Sequence, residues 1–195
     1  TKSTPFGVTD RPFNPIALAL GAEATFVARS VDVFQPHLKE TLKRAAAHPG
    51  SAYIEILQNC NIFNDGAWDS LTERDARSEH IVQLEHGKPL IFGKDRDKGI
   101  RLNGLKLEIV QIGNGAGEND LLVHDEQNPS AAYSFLLAHM TETEGFPTPI
   151  GIFRSIKAAP YEQMVNSQIR EVQAKHGKGD LEKLLRAGDT WEVRA

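Results

Sequence analysis

Apolar and polar positions follow one another in blocks of changing period, and each period predicts an element. Residues 16–22, IALALGA, form a short apolar run that Gly21 ends, which predicts a short buried helical turn. Residues 24–32, ATFVARSVD, are rich in β-branched and aromatic side chains and predict a strand. In 37–48, HLKETLKRAAAH, the residues Leu38, Leu42 and Ala45 recur at i, i+4 and i+7. That spacing predicts an amphipathic helix with those three on its inner face, stopped by Pro49-Gly50. Residues 52–58, AYIEILQ, predict a second strand, mostly apolar, with Glu55 in its middle.

Strand, helix and strand with short joins make a βαβ unit. Its strands should run parallel with a right-handed crossover. Open α/β sheets bind ligands beyond the carboxyl ends of their strands. Cys60 follows the second strand by two residues, inside 53-YIEILQNCNIFNDGAW-68, flanked by Asn59 and Asn61 and followed by Asn64.

Before this unit, residues 1–15 read as extended or turn structure, because Pro5, Pro12 and Pro15 each bias the preceding residue away from α. Beyond it the pattern loosens. Residues 69–80, DSLTERDARSEH, read as a solvated helix or loop, and 81–93 as two short strands around the turn 86–89. A polar loop is expected over 94–99, a strand over 105–112, a glycine-rich loop over 113–120 and another strand over 121–126. Helices are expected over 130–140 with Ser130 as N-cap, over 160–177, and over 180–188 with Asp180 as N-cap and Gly188 as stop.

Composition narrows the function classes. The chain has 195 residues, 40% hydrophobic and 25% charged, with a net charge of −4. That size holds one domain, or one and a small appendage, with a core that needs no staples. Nothing in the charge suggests nucleic acid or an anionic membrane surface. No apolar run approaches the ~20 residues of a membrane span, and the opening residues lack the apolar segment of a secretion signal. A single cysteine excludes an internal disulfide and fits a reducing cytoplasm, the expected location.

That cysteine, Cys60, has three readings from its residues alone. It could be a buried structural thiol, since free cysteine behaves as a small hydrophobe. It could be a nucleophile, which needs a nearby base or positive end to form the thiolate. It could be a cluster ligand, but iron–sulfur clusters take four thiolates, so three would have to come from other sequence. The other candidates are weaker. The loop 113-GNGAGEND-120 carries Glu118 and Asp120 and leads into an expected strand, so it reads as a mobile hairpin loop rather than a phosphate cradle. The seven histidines show no zinc-type spacing, and His124-Asp125 is adjacency rather than a catalytic pair.

The segment NPIALALGAEATFVARSVD, the helix after it and AYIEILQNCNIFNDGAW resemble the beta subunit of the 2-oxoacid:ferredoxin oxidoreductases, within them the 2-oxoglutarate branch. The opening TKSTPFG resembles the segment after the thiamine-diphosphate loop of that subunit. TPIGIFRS at 148–155 and GKGDLEKLLRAGDTWEV at 177–193 resemble its carboxyl end. The resemblance implies an α/β fold: residues 1–70 as the second half of a thiamine-diphosphate-binding domain with a parallel βαβ sheet, and 71–195 as a mixed α+β carboxyl-terminal extension.

It also implies function. Such enzymes decarboxylate a 2-oxoacid on thiamine diphosphate with Mg2+, pass electrons through a [4Fe-4S] cluster to ferredoxin, and transfer the acyl group to coenzyme A. A partner alpha subunit completes their active site. On this resemblance Cys60 is the last of four cluster cysteines and the chain's one metal ligand. Asn59 and Asn61 would sit beside the cluster, where hydrogen bonds to sulfur tune it. The other three cysteines, the Gly-Asp-Gly segment and the asparagine that hold Mg2+ and the diphosphate are not in this sequence. Residue 1 is Thr and the first methionine is Met140. The chain is therefore expected to be the carboxyl-terminal part of a beta subunit, inactive alone and found with the amino-terminal half. The rival expectations are a non-catalytic binding module with a buried Cys60, and a cysteine-nucleophile enzyme with a histidine beside it.

Overall fold

A computed structural model describes residues 6–7, 9–114 and 116–193. Most of the opening TKSTPFG and one glycine of the 113–120 loop lie outside the described residues. Contacts divide the chain into two compact units, Thr1–Ala158 and Ala159–Ala195.

The first unit begins with helix α1, Pro15–Gly21, whose N-cap Asn14 accepts from the Ala17 amide and whose Pro15 suits a first turn. Strand β1, Phe26–Val31, helix α2, Gln35–Ala47, and strand β2, Ala52–Leu57, follow. β1 and β2 pair in parallel, with Arg29 opposite Glu55, so the predicted βαβ unit is present. The inner face of α2 differs from the expectation. Thr41 is its buried residue, Ala45 packs on the sheet, and Leu42 is exposed. The inner face runs through the half-buried positions 38 and 45 and the buried Thr41, a small polar side chain that lets the helix approach the sheet. Thr41 satisfies its hydroxyl on the His37 carbonyl at 2.9 Å.

Two one-turn helices, α3 at Asp69–Thr72 and α4 at Arg77–His80, occupy the charged segment. Strands β3, Ile81–Leu84, and β4, Ile91–Phe92, flank the expected turn but join different sheets. β5, Lys98–Asn103, and β6, Lys106–Gln111, form a hairpin that β4 extends. β5 begins within the stretch expected to be a loop. Its Gly99 hides the strand pattern, yet the glycine is required: a Cβ there would lie 2.4 Å from the Leu121 side chain. Residues 121–126 form no regular strand. They are extended and bonded to both sides, Leu122 donating to Ile100 and His124 to Lys88, with one isolated bridge between Pro89 and Val123.

Helix α5, Ala131–Ala138, has the predicted Ser130 cap. Strand β7, Thr148–Ser155, was not legible as a strand, because Pro149 and Gly151 interrupt it. It is nonetheless central. The main sheet runs β2-β1-β7-β3, with β7 antiparallel to β1 and parallel to β3. One sheet thus joins strands from either side of residue 70.

One face of this sheet packs Val27, Val82 and Phe153 against Ile16 and Leu20 of α1 and Leu137 of α5. The other packs Phe26, Ala28 and Ile152 beneath Ala45 of α2. Each fully buried Val, Leu, Ile or Phe among these contributes roughly 1.5–3 kcal/mol. His124, fully buried, ties the second region to the sheet: its Nε2–H donates to the Ile152 carbonyl at 2.7 Å, and its Nδ1 accepts from the Tyr133 hydroxyl at 2.9 Å.

The second unit holds α6, Tyr161–His176, and α7, Leu181–Leu185. Pro160 and Gly177 bound α6 as predicted. Asp180 caps α7 by accepting from the Glu182 and Lys183 amides, but the helix ends at Leu185, short of Gly188. No described helix is long and apolar enough to cross a membrane.

Candidate functional site

β2 is apolar up to Leu57 apart from Glu55, and the segment QNCN then releases the chain from the sheet at its carboxyl end. The loop after it is held by its own residues. The Asn59 carboxamide is used at both ends: its Nδ2 donates to Asp65 at 2.9 Å, and its oxygen accepts from the Gly66 amide at 3.0 Å. Inside that clasp the Asn64 amide donates to the Cys60 carbonyl at 2.9 Å, closing a tight turn with a bridge between Cys60 and Asn64. Gly66 takes φ +78°, a conformation open to glycine. The Trp68 indole N–H then donates to the Gln58 carbonyl at 3.1 Å, which returns the chain to the strand end.

The turn leaves Cys60 exposed. Its thiol is held below the ordinary cysteine range, chiefly by the backbone N–H of Phe63, then by that of Ile62, with Asn64 adding and Asp65 opposing. Backbone donors converging on sulfur favour thiolate, the form that binds metals and attacks electrophiles. Ile62 and Phe63 present apolar side chains to solvent next to it, 78% and 72% exposed.

Below the loop a cleft of about 590 Å³ is lined by Leu57, Trp68, Arg11, Phe13, Arg29 and Glu55, among others. Arg29 and Glu55 meet across the β1–β2 rung at 2.6 Å, and the arginine also lies over the Phe153 ring. This pair explains the acidic residue in the middle of an apolar strand.

The structure brings Cys60 and Asn59 together on one loop, but gives Asn59 a different place from the one expected of it. Its side chain is committed to Asp65 and Gly66 rather than turned to sulfur. Asn61 is exposed beside Cys60. The buried-cysteine alternative is overturned, since Cys60 is exposed. The nucleophile alternative lacks its base, because the groups acting on the thiol are backbone amides and Asp65. Trp68, Arg29 and the Ile62–Phe63 pair were missed from the sequence. Glu55, odd in its strand, was the signal for Arg29. Among the described residues no group of three or more His, Cys, Asp or Glu could hold a metal ion.

Comparison with known proteins bears out the resemblance. The chain is 41% identical over 99% of its length to the 2-oxoglutarate oxidoreductase subunit KorB of Mycobacterium tuberculosis, matching the carboxyl-terminal part, 52%, of that protein. It is 48% identical over 64 residues, 33% of its length, to 20% of the beta subunit of 2-oxoacid:ferredoxin oxidoreductase 1 of Aeropyrum pernix. It is 46% identical over 65 residues, again 33% of its length, to 21% of the corresponding beta subunit of Saccharolobus solfataricus. The chain thus spans about half the length of the mycobacterial subunit and about a fifth of the archaeal ones. No protein-family model matches it. Among solved structures it shares its α/β fold with a 2-oxoglutarate:ferredoxin oxidoreductase from Magnetococcus marinus bound to 2-oxoglutarate, coenzyme A and succinyl-CoA. The TM-score is 0.59 at 20% identity, covering 96% of this chain and 48% of that one.

Proposed function

We propose that this chain is the carboxyl-terminal part of the beta subunit of a 2-oxoacid:ferredoxin oxidoreductase acting on 2-oxoglutarate, and that Cys60 is one thiolate ligand of its [4Fe-4S] cluster. The observation that carries the reading is an exposed, thiolate-favouring cysteine at the carboxyl end of a parallel strand. The 41% identity running end to end with a 2-oxoglutarate oxidoreductase subunit supports it.

Cys60 fits such a ligand. Its sulfur is accessible, and the amides that face it are the groups that would hydrogen-bond a cluster sulfur and set its potential. Asn59 would act by holding the loop in shape, and Asn61 would stand at the rim. One cysteine is one ligand, so the remaining three would come from other sequence. Thiamine diphosphate and Mg2+ fit differently. The described residues alone present no set of acidic ligands for Mg2+, so its site would be built mainly elsewhere in the subunit.

When bound, these groups would supply the decarboxylation of a 2-oxoacid, acyl transfer to coenzyme A and one-electron transfer to ferredoxin. This chain's part is to hold one thiolate at the strand end and to line the cleft beneath it. In this reading residues 1–70 come from the second half of the thiamine-diphosphate-binding domain and 71–195 from an extension of it. An alpha subunit is the further partner, in the cytoplasm.

The test is iron and acid-labile sulfide on the anaerobically purified complex, with and without Cys60→Ser. Loss of most cluster iron, or an altered electron paramagnetic resonance signal, is expected in the variant. Unchanged iron and an unchanged signal would refute the assignment of Cys60, and 2-oxoglutarate oxidation by this chain alone would refute the reading as a whole.

A further inference from the structure

The loop between β2 and α3 contains a pairing that the fold does not require. Asp65 lies on an exposed turn and joins none of the ion pairs among the described residues. Its partner is a neutral group, the Asn59 carboxamide, at 2.9 Å. Water satisfies a surface carboxylate without such help, and fixing two side chains costs rotamer freedom. Asn59 nevertheless holds Asp65 with its Nδ2 while its oxygen accepts from the Gly66 amide at 3.0 Å.

What the clasp encloses is Cys60. Both ends of the loop are tied. The Trp68 indole N–H returns to the Gln58 carbonyl at 3.1 Å, and Trp68 packs on the core cluster that contains Leu57 and Leu71. Between these ties the Asn64 amide closes on the Cys60 carbonyl at 2.9 Å. Two opposed groups are thereby held about one sulfur. The Phe63 and Ile62 amides face it, and the Asp65 carboxylate acts on it in the opposite sense.

We propose that Asn59 is a positioning residue that sets the electron affinity of the cluster bound at Cys60, by fixing the loop amides and the Asp65 carboxylate together about its sulfur. The inference rests on the reading of Cys60 as a cluster ligand and adds which side chains tune that ligand, and with which sign.

The signs follow from electrostatics. Reduction adds one electron to the cluster, supplied by oxidation of the 2-oxoacid. An N–H that donates to the ligand sulfur stabilises the added charge and raises the potential, whereas a carboxylate held nearby repels it and lowers the potential. The amides are the larger influence on this sulfur. Releasing the whole loop should therefore lower the potential, and removing the Asp65 charge alone should raise it.

The experiment is a potentiometric titration of the cluster's electron paramagnetic resonance signal in the anaerobically purified complex, unaltered and with Asp65→Asn or Asn59→Ala, with iron counted in each. Asp65→Asn leaves Asn59 an acceptor oxygen and removes only the charge, so iron should stay full and the potential rise. Asn59→Ala cuts both of its hydrogen bonds and should lower the potential. Each shift should be a factor of about ten in the reduction equilibrium, the scale of one hydrogen bond to a charged group, which for one electron is about 59 mV. Amide hydrogen exchange in the same samples is the structural control. The Gly66 amide should exchange about tenfold faster in Asn59→Ala and be unchanged in Asp65→Asn. A merely structural clasp leaves the Asp65→Asn potential unmoved, and that result overturns the inference, as does a shift of the same sign in both variants. If Asn59→Ala holds too little iron to titrate, the Asp65→Asn shift decides alone. The functional reading fails separately. No iron in the unaltered complex, or iron and signal unchanged in Cys60→Ser, sinks the cluster assignment and the tuning with it. A Cys60-dependent cluster whose potential ignores Asp65 sinks only the tuning.

Discussion

Replacing Glu55 by Gln tests whether the floor of the cleft is a true buried ion pair. Arg29 is 4% exposed and Glu55 17%, with 2.6 Å between Nε and Oε2. Gln keeps the shape and removes the charge. The guanidinium is then left with the neutral carboxamide oxygen, the Pro149 carbonyl at 3.4 Å and the face of Phe153, none of which replaces the charge of a carboxylate. Stranding a buried charge costs about 3–5 kcal/mol, and the partial hydration of Glu55 places this case near the lower figure. Against a total stability of roughly 5–15 kcal/mol that is a large loss. The assay is equilibrium urea unfolding followed by the fluorescence of Trp68, with Trp191 replaced by Phe so that the signal reports the first unit. The midpoint should fall with the slope unchanged. The double variant Arg29→Met with Glu55→Leu should recover most of the loss, because the charge and its partner leave together. A loss below about 1 kcal/mol for Glu55→Gln, the range of an exposed pair, would refute the argument that Arg29 depends on this carboxylate.

Three further outcomes are expected. Burial holds His124 below its ordinary range, and the Ile152 carbonyl only partly opposes this. A histidine buried neutral contributes stability that is complete above about pH 6.5 and is lost as pH falls below it towards the lowered folded value. Urea midpoints should therefore drop between neutral and mildly acid pH. His124→Phe should flatten the slope, leaving what His37 and His48, shifted the same way by burial, supply. Gly151 takes φ +134°, and a Cβ there would lie 2.6 Å from the Leu84 carbonyl oxygen. Gly151→Ala should thus lose roughly 2–5 kcal/mol through backbone strain and overpacking, read in the same unfolding assay. The native chain without cluster should alkylate at Cys60 with iodoacetamide without denaturant, with a pH midpoint below that of a free thiol. Asn59→Ala should raise that midpoint by loosening the turn, and reactivity that appears only on unfolding would contradict the exposed, amide-facing sulfur.

What could be read along the chain was whatever repeats within a few residues. The apolar runs of α1, α2, β1 and β2, and the caps at Ser130 and Asp180, are local facts, and each of these elements is present, although α2 buries Thr41 in place of Leu42 and α7 ends at Leu185. β7 was hidden because its reasons are non-local: Pro149 and Gly151 weaken a strand in isolation, yet Gly151 is what lets β7 and β3 approach. The same division runs through the site. QNCN marks where a strand ends and an exposed loop begins, and that was legible. That Asn59 closes a clasp on Asp65 and Gly66 depends on a turn returning six or seven residues later, which no spacing rule specifies.

Glu55 and Ile56 set out the general problem side by side. A carboxylate inside an apolar strand signals a partner, and the partner is in this chain, across the rung at Arg29. An isoleucine left exposed on the edge strand carries a demand too, and the described residues do not meet it. Both are sequence positions whose physical demand exceeds what their neighbours provide. A demand met within the chain is a stability feature, and one unmet among the described residues calls for atoms from outside them. On the reading proposed above, Cys60 belongs with the second kind: an accessible thiol at a strand end, with the amides of Phe63 and Ile62 turned to it, would be one ligand of a group whose remaining ligands come from elsewhere.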